Sequence, residues 1–347
     1  MVKLSIIITT QNRLNILQKC LKSIFTSTGI SSVKEIVIVD DGSADDTQYY
    51  LKDLIKKNNI ISFIRNEKII GPAAARNQGI NSVKGDYTFI MGDDVVLSEN
   101  TIEIFCRHIL KYKPEKSSII GNILPEPENI TPFEHWSCNG GSQFGHYKIP
   151  KEKRLDAGEE YFYTSNVITP TWILKKYQFD EGFPYARYED RELSYRLKKA
   201  IDHKIHYVPN AISYHCHKLP FKEWLQKFYK FTFAAIYFSN KYPDDKELRT
   251  KLGISKAIET ETFNYSALVK AAELINSNNK FYFDSESIFG QSWIIQSITS
   301  SFRVLQEFFR ISFIREHLKL SPLINGKENI DSKTAMDNLI SFISDDI

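Results

Sequence analysis

Four apolar runs in the first part of the chain, Leu4 to Ile8, Ile36 to Val39, Ile60 to Ile64 and Tyr87 to Met91, are each followed by polar residues, and a fifth lies near Ser118 to Ile123. Unbroken apolar runs of this length suit strands buried on both faces of a parallel sheet. Between them the apolar spacing changes to three and four: Leu14, Leu17, Leu21 and Ile24, then Tyr50, Leu51, Leu54 and Ile55, then Ile102, Phe105 and Ile109. That period predicts helices. Ser43 and Asp46, three apart, resemble a capping box ahead of the second helix, and Gly71-Pro72 opens another through Ala73 to Asn77. Alternating strands and helices with short connections predict a doubly wound α/β domain with a mostly parallel sheet.

The polar residues recur where the strands end. Thr9 to Arg13, Asp40 to Ser43 and Asp93-Asp94 all follow the C-terminal ends of predicted strands. In open α/β sheets that edge is where ligands bind. Two adjacent carboxylates are costly there unless a cation meets them. A divalent cation held by one or two carboxylates and completed by phosphate oxygens and water would do so. One acidic turn could equally cap the next helix; three polar turns on one edge make a site.

Beyond residue 124 the alternation stops. Pro125, Pro127 and Pro132 mark an irregular stretch, and His135-Trp136 through Tyr147 has the glycine and aromatic content of a binding loop. Tyr161 to Ile168 reads as a strand with Asn166 near its end. Leu193, Leu197 and Ala200 share a helical face, which sets Glu189-Asp190 at a helix N-terminus. The helix dipole keeps Asp190 ionised there, as a proton acceptor or simply as a cap. Ile205 to Val208 and Ala211 to Tyr214 read as strands, the second ending in His215-Cys216-His217. Strand alternation puts both histidines on one face, as ligands or as ordinary surface residues.

From Phe221 the pattern is helical. Trp224, Phe228, Phe231 and Ala235 form one stripe, Ile294, Ile298, Phe302, Leu305 and Phe309 a second, and Met336, Leu339, Ile340 and Ile343 a third. Such stripes predict core or homo-oligomer contacts; peripheral membrane contact through Trp224 to Tyr242 is the alternative use. The expected division is an α/β domain over 1–219 and an α-helical extension over 220–347.

Composition narrows the partners. A net charge of +3 over 347 residues is too small to argue for nucleic acid, so the expected phosphates belong to a small ligand. Four cysteines without Cys-x-x-Cys spacing suggest a reducing compartment and no zinc site. The chain opens on a strand rather than a signal peptide, and no run reaches the ~20 apolar residues of a membrane span. A cytoplasmic protein is expected, peripheral at the inner membrane face if the helices touch lipid.

Taken in order, Thr-Thr-Gln-Asn-Arg, Val-Asp-Asp-Gly-Ser, Ala-Arg-Asn-Gln-Gly, Gly-Asp-Asp and Glu-Asp make the chain from about Val2 to His217 resemble the inverting family-2 glycosyltransferases of GT-A fold. The helical C-terminal part lies outside the resemblance. It implies a nucleoside-diphosphate sugar donor, with uridine as the nucleoside, and a hydroxyl acceptor on a glycan or lipid-linked glycan. Thr9, Asn12, Arg13 and Asp40 would hold the nucleoside, and Arg76 would meet the diphosphate or a neighbouring carboxylate. Asp93 would contact the ribose. Asp94 would hold Mn²⁺ or Mg²⁺, with His215 as a further contact. Asp190 matches the catalytic base, and Glu189 and Asn166 are set with the acceptor. Gln11 stands where many relatives carry an aromatic, and Gly92 at the first place of what is often a three-aspartate run.

Two other functions compete. A sugar nucleotidyltransferase would want a glycine-rich phosphate loop, and Thr9 to Asn15 contains no glycine. A non-catalytic carbohydrate-binding or scaffolding protein would have no need of both Asp94 and Asp190.

Overall fold

A computed structural model of the chain describes residues 2–127, 130–138, 144, 146–277, 293–325 and 328–330. The first part alternates as the periodicity predicts: β1 (Leu4–Thr10), α1 (Leu14–Phe25), β2 (Val33–Asp41), α2 (Thr47–Lys57), β3 (Ile61–Asn66), α3 (Pro72–Ser82) and β4 (Tyr87–Gly92). A three-residue strand β5 (Val95–Leu97) follows, then α4 (Thr101–Tyr112), β6 (Ser117–Pro125) and α5 (Pro132–Cys138). After these come β7 (Asn166–Pro170), α6 (Thr171–Lys176), α7 (Glu189–Ile201) and β8 (Lys204–His215).

The described strands form an eight-stranded sheet in the order β3-β2-β1-β4-β7-β6-β8-β5. β1, β2, β3 and β4 are parallel neighbours, as are β6 and β8; β7 runs antiparallel to both β4 and β6, and β5 antiparallel to β8. Apolar cores lie on both faces. Ile6, Ile8, Leu17, Leu21, Phe89, Ile102 and Phe105 fill one, and Ile7, Val37, Val39, Ile90, Val167, Leu193 and Leu197 the other. Alternate residues of β1 therefore enter opposite cores, which is why its sequence is an unbroken apolar run.

Three local expectations change. The Ser43–Asp46 capping box does not form: Ser43 Oγ accepts from Asn12 N, and it is Asp45 that accepts from Thr47 at the start of α2. Residues 159–161 form a 3₁₀ turn, so the strand expected over Tyr161 to Ile168 begins at Asn166 rather than ending near it. The two strands expected over 205–214 are one strand, β8, whose pairing with β6 shifts register between Gly121 and Asn122.

The chain separates into two compact units, residues 1–126 with 144–217 and residues 127–143 with 218–347. The sequence puts 127–143 with the α/β part, whereas its α5 clusters with the C-terminal helices. The reason is aromatic packing: Phe133 and Trp136 lie edge-on or stacked against Trp224 and Phe302 at centroid distances of 5.1–5.6 Å.

The second unit continues through α8 (Phe221–Lys241), α9 (Lys246–Lys251), α10 (Ile254–Glu259), α11 (Tyr265–Ser277) and α12 (Trp293–His317), then a hairpin of β9 (Leu323–Asn325) and β10 (Glu328–Ile330). Trp224, Phe228 and Ala235 are buried, as are Ile298, Phe302, Leu305 and Phe309, so these stripes are interior. Arg315 is buried too; it donates to the carbonyls of Ala257 and Thr260, which the end of α10 leaves without helical partners, and to Ser321 O just beyond α12. The Met336 to Ile343 stripe falls outside the described residues. Among the described residues no helix is long and apolar enough to cross a membrane.

Candidate active site

Strand register brings the predicted polar turns together. Pairing sets Thr9 beside Gly92, Thr10 beside Asp40, and Asp40 beside Arg65. A pocket of about 330 Å³ opens at this edge within the first unit. Thr9, Arg13, Arg76, Asp93 and Asp94 line it, as expected from sequence. Thr10, Asp41, Thr164 and Ser165 line it as well.

The aspartate pair is held by one guanidinium. Arg13 Nη1 donates to Asp93 Oδ1 at 3.0 Å and to Asp94 Oδ2 at 2.9 Å. Thr10 Oγ1 donates to Asp93 Oδ2 at 2.7 Å, and His215 Nε2 lies 3.6 Å from Asp94 Oδ2. The two carboxyls are driven apart. Burial and the neighbouring Asp94 charge push Asp93 up to about 6, against Arg13 and Thr10. Burial would raise Asp94 too, but its bond to His215 and the charges of His215, Arg13 and His217 outweigh it and hold this carboxyl well below the usual range. Asp94 is thus the more acidic of the two carboxyls and the one that stays anionic as the pH falls, which suits a metal ligand.

Asp94 and His215 offer one carboxylate oxygen and one imidazole nitrogen. Among the described residues no three His, Cys, Asp or Glu side chains are grouped so that they could hold a metal ion by themselves. That donor set fits a cation whose remaining ligands are diphosphate oxygens and water; it does not fit a site closed by protein alone.

Asp40 is fully buried. Its Oδ1 accepts from Ser43 N at 3.0 Å and its Oδ2 from Arg65, whose other nitrogen reaches Ser43 O at 2.7 Å. Asp41 anchors the loop into α3, accepting from Ile70 N at 2.9 Å and Gly71 N at 3.0 Å. Asn12 takes a left-handed φ of 52° and accepts from Ala44 N at 2.6 Å, clamping the first turn to the second. Arg76 Nη1 donates to Glu189 at 2.7 Å, so of its two expected partners the structure holds the carboxylate.

Glu189, the acid of that pair, is buried at 3% exposed. Asp190, the next residue, is half-buried; its Oδ1 accepts from Arg191 N, and its Oδ2 lies 3.5 Å from the backbone N of Thr164. Thr164 lines the pocket, and this contact sets Asp190 at its margin. Asn166 is buried between strands and donates to Ser213 Oγ at 2.7 Å; it is not a pocket residue.

Residues 5–183 match the family described as glycosyl transferase family 2. The chain belongs to that family. It is 27% identical over 179 residues to glycosyltransferase GlyG of Streptococcus pneumoniae, covering 51% of this chain and 58% of that protein. It is 30% identical over 129 residues to the GalNAc(5)-diNAcBac-PP-undecaprenol beta-1,3-glucosyltransferase of Campylobacter jejuni, covering 37% of this chain and 40% of the relative. The match thus spans a little more than half the length of GlyG and less than half that of the Campylobacter protein. Its fold is similar to that of the mannosyltransferase PcManGT from Pyrobaculum calidifontis, solved in complex with GDP-Man and Mn²⁺. That likeness has a TM-score of 0.57 at 11% identity and covers 88% of this chain and 86% of the other. These matches identify the GT-A architecture of the α/β unit.

Of the pocket residues without an assigned role, Thr10 had a sequence signal, since it stands at a strand end on the ligand edge; Arg65, outside the pocket lining, stands near the end of β3. Thr164 and Ser165 had none; antiparallel pairing of β7 with β4 brings them in, Gly92 N donating to Ser165 O at 3.2 Å.

Proposed function

We propose that this chain is an inverting, metal-dependent glycosyltransferase that moves a sugar from a nucleoside-diphosphate donor, UDP-linked in the reading from sequence, to a hydroxyl of a glycan or lipid-linked glycan. The observation that carries this is the shared pocket wall. Asp93 and Asp94 lie on it beside Thr164, whose backbone N–H sits 3.5 Å from Asp190. A diacid suited to the ribose and a metal ion thereby lines a cavity that has a carboxylate base at its margin. The undecaprenol-linked glycan named for the Campylobacter relative supports the acceptor class.

In this reading Thr9, Thr10 and Arg13 bind the nucleotide side of the donor, and Asp93, bonded to Thr10, meets the ribose. Asp40, set against Arg65, backs the base-binding turn. Asp94 and His215 hold Mn²⁺ or Mg²⁺, which when bound supplies charge neutralisation for the leaving diphosphate. The acceptor oxygen attacks the anomeric carbon as Asp190 takes its proton. The bond from that carbon to the phosphate oxygen breaks, and the electron pair leaves with the nucleoside diphosphate. Attack on the face opposite the leaving group inverts the anomeric centre. Asn166 and Glu189 are assigned supporting positions, one fastening β7 to β8 and the other holding the start of α7.

Asp190→Asn keeps the shape and removes the proton acceptor. Nucleotide release from a panel of UDP- and GDP-sugars should fall ~10²–10⁴-fold in kcat with nucleotide affinity kept. Normal release by that variant would remove Asp190 from the mechanism.

A further inference from the structure

Arg13 stands where a dication would approach Asp94. Its Nη1 is 2.9 Å from Asp94 Oδ2, and His215 Nε2 is 3.6 Å from the same oxygen. The same nitrogen also reaches Asp93 at 3.0 Å, so one cation satisfies both acids. The backbone O of Arg13 accepts from Leu17 N at 2.9 Å, and the residue before it is tied to the next turn, Asn12 N donating to Ser43 Oγ and Asn12 Oδ1 accepting from Ala44 N. The guanidinium tip is held at the acids, while a third of the side chain is exposed, leaving a long, partly solvated arm able to swing.

A guanidinium and a dication cannot share Asp94 Oδ2 without placing three positive charges within a few ångströms in a partly buried pocket. A nucleoside diphosphate changes both sides of that conflict. Its oxygens offer Arg13 an alternative bidentate anion and supply ligands that Asp94 and His215 alone do not.

We propose that Arg13 is a built-in counter-cation that keeps Asp94 closed to divalent metal until a nucleoside diphosphate draws the guanidinium away, so that metal and nucleotide bind cooperatively. The proposal rests on the reading of Asp94 and His215 as the metal ligands. Coupling of this kind is reciprocal: the factor by which nucleotide tightens Mn²⁺ is the factor by which Mn²⁺ tightens nucleotide.

The test is a titration of the full chain with Mn²⁺ alone, followed by electron paramagnetic resonance of the free ion. It is repeated with UDP and with GDP, for wild type, Arg13→Gln, Arg13→Lys and Asp94→Asn. Wild type should bind Mn²⁺ alone weakly and on the order of tenfold tighter with one of the nucleotides. Arg13→Gln should bind Mn²⁺ alone on the order of tenfold tighter than wild type, with the coupling reduced. Arg13→Lys, which keeps the charge but loses the fork, should fall between, and it serves alone if the glutamine variant fails to fold. Asp94→Asn should lose binding throughout. Unchanged or weaker Mn²⁺ affinity in the folded Arg13 variants, with Asp94→Asn still losing it, overturns the counter-cation and leaves the metal site standing. Binding that survives Asp94→Asn, or that no protein shows with either nucleotide, overturns the metal reading and the proposal with it.

Discussion

Arg76 and Glu189 form a buried ion pair at 2.7 Å that ties α3, a wall of the pocket, to the first turn of α7, one residue before Asp190. Glu189 Oε2 makes no hydrogen bond among the described residues. Burial and the Asp190 charge push the Glu189 carboxyl up, and Arg76 opposes them. The preceding residue, Tyr188, sits at a φ of 72°, a conformation that costs a non-glycine residue energy and persists only where its surroundings impose it.

Removing one partner of such a pair leaves the other charge buried and alone. Arg76→Ala should therefore lose ~3–5 kcal/mol in urea unfolding. The double variant Arg76→Met with Glu189→Leu, apolar on both sides, should recover much of that stability while turnover stays low. An Arg76→Ala protein as stable as wild type would show that the pair carries no structural weight.

Gly92 offers a second test, because a Cβ added there would meet Asp94 Oδ1 at 2.6 Å. The obstacle is the far end of a side chain, so Gly92→Ala should cost little stability. It should displace the Asp94 carboxylate from Arg13 and His215, however. Mn²⁺-enhanced nucleotide binding should weaken several-fold in calorimetry while the melting temperature hardly moves. Undiminished enhancement would mean that Asp94 turns aside without consequence.

Acid stability should depend on His203. It is 3% exposed, and its Nε2 lies 2.9 Å from Ser118 Oγ. Burial, with the charges of His206 and Lys198, pushes it down from 6.5 to about 4. Between those values the unfolded chain binds a proton that the folded protein refuses, so stability rises with pH across the window and is lost on acidification. The slope is at most ~1.4 kcal/mol per pH unit for this one group. His203→Gln removes the titration, so the stability gap between wild type and variant should narrow from pH 7 to pH 4.5 in denaturant unfolding. A gap independent of pH would exclude this histidine as the source.

Much of the α/β unit was legible because its signals are local. Unbroken apolar runs marked β1, β2 and β4, and helical spacing marked α1 and α4, whose predicted apolar positions Leu17, Leu21, Ile24, Ile102, Phe105 and Ile109 are all buried. β5 was not legible: three residues carry no period, and the strand exists because Val95 to Leu97 pair with β8. The start of β7 at Asn166 was missed because the apolar and aromatic residues before it pack without pairing. The grouping of 127–143 with the helices came from Phe133 and Trp136 meeting Trp224 and Phe302, partners distant in sequence.

Local pattern in the chain was enough to show which polar residues stand at strand ends, and hence that Thr9, Arg13, Asp93 and Asp94 would share an edge. Periodicity and turn chemistry act over a few residues, and parallel pairing carries every such end to the same side. Which charges meet is settled by folding: Arg65 with Asp40, Arg76 with Glu189, and Arg13 with both members of the diacid. Each of those choices rests on Coulomb energy, which depends on separations of a few ångströms and on local burial. Register and helix placement set both, and neither can be read from the spacing of residues along the chain.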